Sequence, residues 1–102
     1  MTNITIEEVK ERQDAGEKLH LIDVREPFET AEFNIGGIPF PLGKIQSMQT
    51  EDLEHLKNEE VICYCRSGNR SGIAALFLEQ LGFTNTKNLT GGMLAWREKF
   101  GV

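Results

Sequence analysis

Val61-Ile62-Cys63-Tyr64-Cys65-Arg66-Ser67-Gly68-Asn69-Arg70-Ser71 is the stretch that decides how the chain folds. It opens with the apolar run Val61 to Cys65, which has the length and content of a buried strand. The residues after it, Gly72-Ile73-Ala74-Ala75-Leu76-Phe77-Leu78-Glu79-Gln80-Leu81, read as a helix. Arg66 to Ser71 form the connection. Strand, short loop and helix is a geometry in which backbone N–H groups converge on one point, and here that point faces the sulfur of Cys65.

Three features favour a thiolate at that point. The helix behind the loop directs the positive end of its dipole toward it. Successive loop amides can form an anion-binding nest, with Gly68 supplying the backbone freedom. Arg66 and Arg70 add two positive charges. Lowering the thiol from about 8.5 to about 6.5 would raise its ionised share at neutral pH from about 3 % to roughly 75 %. Nucleophilicity falls with basicity, however, and the net gain in attack is about threefold. The loop is therefore better explained as a cradle for negative charge on sulfur, in the transition state and in any charged adduct.

Cys65 is thus the candidate nucleophile. Arg66, Ser67, Gly68, Asn69, Arg70 and Ser71 are the candidate binding residues around it. A lone cysteine at a strand end is ordinarily a small core residue, but core filling needs neither two arginines, nor a glycine, nor a helix start. Cys63 is two residues back, on the same strand face but deeper, and is expected to fill the core. No disulfide between the two is expected, since extended-strand geometry disfavours it.

The 102 residues suffice for one domain, Met1–Val102, with a core of its own. A content of 39 % hydrophobic and 26 % charged residues is that of a soluble globule. The net charge of −5 argues against a nucleic-acid partner. No apolar run reaches the roughly 20 residues of a membrane span, and no signal peptide opens the sequence. Two cysteines suggest a reducing compartment, hence the cytoplasm. No metal or other cofactor is expected. His20 and His55 lie far from the Cys-x-Cys pair and show no ligand spacing.

Thr5-Ile6-Glu7-Glu8 is a capping box, with Ile4 and Val9 spaced as a hydrophobic staple. It predicts a helix over 6–14, ended by Gly16. Leu19 to Val24 reads as a buried parallel strand. Asp23, Arg25 and Glu26 follow at its carboxyl end, where open α/β sheets bind ligands. Asp23 and Arg25 are candidate supports of the site, with a structural ion pair beside the loop as the favoured role. Pro27 starts a short helix to Glu32, and residues 35–42 suit an edge strand or loop. Thr50 is expected to cap a helix reaching about Lys57. Gly82 closes the helix after the loop, with Phe83 as its apolar contact. A strand over 86–89 follows. Thr90 is expected to cap a last helix, Gly91 to Phe100, with Met93, Leu94 and Trp96 turned inward. Gly91 and Gly92 fit either a close backbone approach to the loop or a plain turn. The alternation predicts an α/β fold, an open and mostly parallel sheet with helices on both faces.

Leu21-Ile22-Asp23-Val24-Arg25-Glu26 with Glu29, the Ile38-Pro39 to Leu42 segment, the Cys65 to Ser71 loop and Leu89-Thr90-Gly91-Gly92-Met93-Leu94-Ala95-Trp96 come in this order. Together they resemble the single-domain rhodanese-like sulfurtransferases. The resemblance implies the rhodanese fold and a persulfide on Cys65 within the amides of Arg66 to Arg70. Arg66 and Arg70 would hold a small anionic sulfur donor such as thiosulfate. Acceptors would include cyanide, thiols or a protein exchanging the persulfide. The chain departs from many members by reading Phe33-Asn34-Ile35-Gly36-Gly37 where they carry Gly-His-Ile-x-Gly-Ala. One rival reading is a phosphatase or arsenate reductase. Those resemble this chain but use Cys-x5-Arg, whereas here Ser71 stands where that arginine would be, and the tighter ring suits one sulfur atom. The other rival is a persulfide carrier or protein-binding module without turnover.

Overall fold

The computed structural model describes residues 1–101; Val102, the last residue of the expected domain span, lies outside the described residues. Five strands form one sheet: β1 (Thr2–Ile4), β2 (Leu21–Asp23), β3 (Ile38–Pro39), β4 (Glu60–Tyr64) and β5 (Asn85–Leu89). Their order is β1-β5-β4-β2-β3, and every neighbouring pair is parallel. All five strands therefore end at one edge, where Asp23, Cys65 and Gly91 meet. The helices are α1 (Ile6–Asp14), α2 (Pro27–Glu32), α3 (Leu42–Gln46), α4 (Asn69–Gln80) and α5 (Gly92–Phe100), with a 3₁₀ helix at Glu51–Leu56.

Side-chain alternation splits the sheet into two apolar layers. Ile22, Val24, Val61, Cys63 and Cys65 pack with Ile45 of α3, Leu53 of the 3₁₀ helix and Ala74, Ala75 and Leu78 of α4. Leu21, Ile62, Tyr64 and Leu89 pack with Ile6 and Val9 of α1 and Met93 and Trp96 of α5. Helices thus cover both faces, as the alternation predicts.

Local chemistry sets several ends where expected. The Thr5 hydroxyl accepts the Glu8 N–H at 3.1 Å and starts α1. Gly82, at φ +100, ends α4 in a paired reverse turn: Phe83 N–H bonds Leu78 O and Gly82 N–H bonds Glu79 O, both at 3.0 Å. Buried Phe83 supplies the apolar contact.

Other expectations are corrected. Strand β2 is shorter than 19–24, although its pairing continues past both ends, with Ile62 N–H on His20 O and Val24 N–H on Tyr64 O. The segment from Thr50 coils as 3₁₀ helix, and the Thr50 side chain makes no capping bond. The last helix starts one residue later than expected, with Gly91 at its cap position, while Thr90 continues the sheet by donating its N–H to Ile4 O of β1. Leu94 points outward, 49 % exposed. Helix α4 is not buried all round: Ile73 and Leu76 are exposed. Strand β1 and helix α3 were not expected at all.

Leu78 is fully buried between α4 and the sheet. Leu78→Ala is expected to destabilise the fold by about 2–5 kcal/mol through the cavity it leaves, which chemical denaturation would measure.

Candidate active site

The loop is built by what happens to its carbonyls. Cys65 O and Arg66 O accept the N–H groups of Met93 and Leu94, each at 2.9 Å. The first turn of α5 thus draws these carbonyls outward. Gly68, at φ +101, then swings the chain back into α4. The helix begins at Asn69, three residues earlier than its apolar run suggests, so Asn69, Arg70 and Ser71 form its first turn.

That turn has no side-chain cap of its own. The sulfur of Cys65 fills the place: it accepts the Gly68 N–H at 3.1 Å, the Ser71 N–H at 3.4 Å and lies 3.4 Å from the Ser71 hydroxyl. Burial pushes the Cys65 thiol up, but the Ser71 hydroxyl and amide, with the Gly68 and Ser67 amides, outweigh it and leave the thiol below its ordinary value. Cys65 is only 1 % exposed, yet what meets its sulfur is polar. Cys63, two residues back on the same face, has no such donors. Burial, with the neighbouring Cys65, raises it to about 12, and it fills the core.

The two loop arginines differ. Arg70 grips Glu29 of α2 with two bonds, 2.8 and 2.9 Å long. Arg66 is exposed and makes no ion pair among the described residues. Beside the loop it lines a pocket with Arg25, Arg97, Glu29 and Glu32 and the apolar Phe33, Met93 and Leu94. Ser67 and Asn69 are exposed around it. Asp23 and Arg25 are both buried and bonded side-on at 2.9 and 2.7 Å. Asp23 also accepts from Thr30 Oγ1, and Arg25 donates to Phe33 O. The pair ties the end of β2 to α2 and the loop after it. Among the described residues no group of three or more His, Cys, Asp or Glu side chains could hold a metal ion.

Two residues of the site were given no role from the sequence. Glu29 stood among the residues that carry the resemblance and had a local signal as the partner of the Glu26 N–H at the start of α2. Asn88, whose side-chain oxygen lies 2.5 Å from Ser71 Oγ, had none. The glycines resolve into two roles. Gly92 is the close approach: a Cβ there would lie 2.4 Å from Cys65 O and 2.7 Å from Arg66 O. Gly91 takes the left-handed turn at φ +82 that starts α5.

The rhodanese-like domain family model matches residues 5–99. A Bacillus subtilis protein provisionally named sulfurtransferase YtwF is 42 % identical over 90 residues, covering 86 % of this chain and 82 % of that one. A second Bacillus subtilis protein, provisionally named sulfur carrier protein YrkF, is 35 % identical over 97 residues. That match covers 94 % of this chain and 51 % of the carrier, so the chain spans about half its length. Among solved structures, a human single-domain sulfurtransferase superposes with a TM-score of 0.81 at 25 % identity, covering 95 % of this chain and 96 % of that one. The chain belongs to the rhodanese-like domain family.

Gly92→Ala places a methyl group against the loop carbonyls at φ +56. It is expected to cost at least about 1–3 kcal/mol and to raise the pH midpoint of Cys65 alkylation as the loop amides turn away. Thermal unfolding and alkylation followed against pH would check both. The Arg70 hydrogen bonds hold the Glu29 carboxyl down at about 2. A folded value below the unfolded one, near 4.3, means the pair stabilises fully above that value and loses its effect as pH falls from about 5 to about 2. Acid titration of stability should therefore fall more steeply for the native chain than for Glu29→Gln across that window, by up to one proton's worth of slope.

Proposed function

We propose that this rhodanese-like chain is a sulfurtransferase, moving a sulfane sulfur from thiosulfate or a persulfide donor to a thiophilic acceptor through Cys65. The observation that carries this reading is the convergence of the Gly68 and Ser71 amides and the Ser71 hydroxyl on one sulfur atom. In the first step the Cys65 thiolate attacks the outer sulfur of thiosulfate. The S–S bond of the donor breaks, sulfite leaves with the bonding electrons, and Cys65 carries the persulfide. In the second step cyanide or a thiolate attacks the terminal sulfur. The new S–S bond breaks and the Cys65 thiolate is restored.

The donors at the start of α4 stabilise charge on whichever sulfur occupies the ring in each step. Arg66, without an ion-pair partner among the described residues, is the guanidinium best placed to meet an anionic donor. Arg70 is already committed to Glu29 and orients the loop. A cysteine this well covered favours slender reagents whose reactive atom is terminal, as in thiosulfate, cyanide or a persulfide. The two cysteines are unpaired, which suits a reducing compartment such as the cytoplasm. No described helix is long and apolar enough to cross a membrane.

Intact-mass spectrometry after incubation with thiosulfate is the direct test. The chain is expected to gain the mass of one sulfur atom and to lose it on adding cyanide, with thiocyanate formed. Cys65→Ser should gain nothing, since the nucleophile is gone, whereas Cys63→Ser should load normally. Loading that survives in Cys65→Ser refutes the assignment. Loading without steady-state turnover would identify a carrier.

A further inference from the structure

The Ser71 hydroxyl has one proton and two acceptors within reach. Its oxygen stands 3.4 Å from Cys65 Sγ and 2.5 Å from the Asn88 side-chain oxygen. One hydroxyl donates one hydrogen bond, so it cannot serve both. With the Asn88 oxygen facing it, the shorter contact takes the proton. In that arrangement Ser71 Oγ only accepts from the sulfur, which suits a protonated thiol; the hydroxyl's share in lowering the thiol belongs to the other arrangement, in which it donates to the sulfur. A thiolate or a terminal persulfide anion has no proton to give and needs one offered.

Asn88 can reverse the arrangement without moving. Its amide carries an acceptor and a donor at nearly the same distance from Cγ. Half a turn about the last side-chain bond presents Nδ2–H to Ser71 Oγ. The hydroxyl proton is then free to point at the sulfur. The surroundings hold the amide in this place. Asn88 sits opposite Cys63 in the β4–β5 register. A Cβ at Gly72 would come within 3.4 Å of its side-chain nitrogen, so the absence of a side chain there leaves it room under the first turn of α4. Ser71 itself is fully buried.

We infer that Asn88 is a positioning residue which, by turning its side-chain amide, decides whether the Ser71 hydroxyl proton goes to Asn88 or to the sulfur of Cys65. One loop thereby holds both a resting thiol and a charged sulfur. The inference rests on the sulfur-transfer reading of the site. The charged and titratable groups around the thiol are Arg70 of α4, held by Glu29 of α2, Arg66 in the loop and Cys63 behind it on β4. Asn88 is neutral, so its influence runs through hydrogen bonding.

The test is the pH profile of Cys65 alkylation by iodoacetamide in the full chain, with the modified residue identified by mass spectrometry. No sulfur donor is present, so the result is independent of whether thiosulfate loads the protein. Asn88→Asp offers the hydroxyl acceptors only and keeps its proton from the sulfur. Its midpoint is expected to rise by about one pH unit, roughly a tenfold loss of alkylation below the midpoint. A new negative charge could do the same directly, so the comparison is repeated with Ser71→Ala. There Asn88→Asp should shift the midpoint by only a small fraction of that amount. Asn88→Ala, which frees the hydroxyl for the sulfur, should lower the midpoint. A full shift in the Ser71→Ala background overturns the inference, and so does an unchanged or raised midpoint in Asn88→Ala. If Asn88→Asp does not fold, Asn88→Ala decides alone by the same criterion.

Discussion

Two hydrogen bonds from the start of α5 to the carbonyls of Cys65 and Arg66 hold the whole site in its present form. A peptide unit has two ends, and turning the carbonyls toward α5 leaves the following amides to turn the other way. Those amides are Arg66 and Ser67, and the Ser67 amide is among the groups that favour the thiolate; the N–H groups of Gly68 and Ser71, at the start of α4, face the sulfur as well. The same arrangement explains why α4 needs no conventional cap, since the sulfur accepts the first-turn amide that a serine or aspartate would otherwise take. It also explains Gly92, the residue whose missing side chain lets α5 approach closely enough to make those bonds.

Cys63 and Cys65 show how little of reactivity lies in residue type. They share a strand, a sheet face and near-complete burial. One sits among apolar side chains and is driven well above its ordinary value. The other reaches the rim of the sheet, where donors reverse the effect of burial. The surrounding charges follow the same rule of position. Asp23 and Arg25 lock into each other beneath the site, and Glu29 fastens Arg70, so Arg66 is left facing the neighbouring pocket. The other guanidinium groups at this edge are matched by carboxylates, Arg97 by Glu32 at 3.8 Å among them, and Arg66 makes no ion pair among the described residues.

The elements legible in the sequence were those whose cause is local. Thr5, Pro27 and the Gly82-Phe83 pair set helix ends through neighbouring backbone groups, and the Val61 to Ser71 stretch fixed strand, loop and helix together. The parts that escaped depend on distant partners. Thr2-Asn3-Ile4 has little strand character of its own and becomes β1 by pairing with Lys87 to Leu89. Helix α3 contains Gly43 and follows Pro41; the burial of Ile45 against α4 is what holds it. Thr90 belongs to the sheet rather than to the helix start, its N–H donated to Ile4 O of β1, and Gly91 holds the cap position. Glu29 and Asn88 reach the loop from 41 and 17 residues away, a proximity that spacing along the chain does not encode.

The margins of the sheet carry a last consequence. Strand β3 is two residues long, and Pro39 and Pro41 give that border no amide hydrogens at their positions. At the opposite border β1 has only three residues. Neither side offers the long ladder of free donors and acceptors that an incoming strand requires. Both borders therefore discourage edge-to-edge pairing of the folded molecule with another strand.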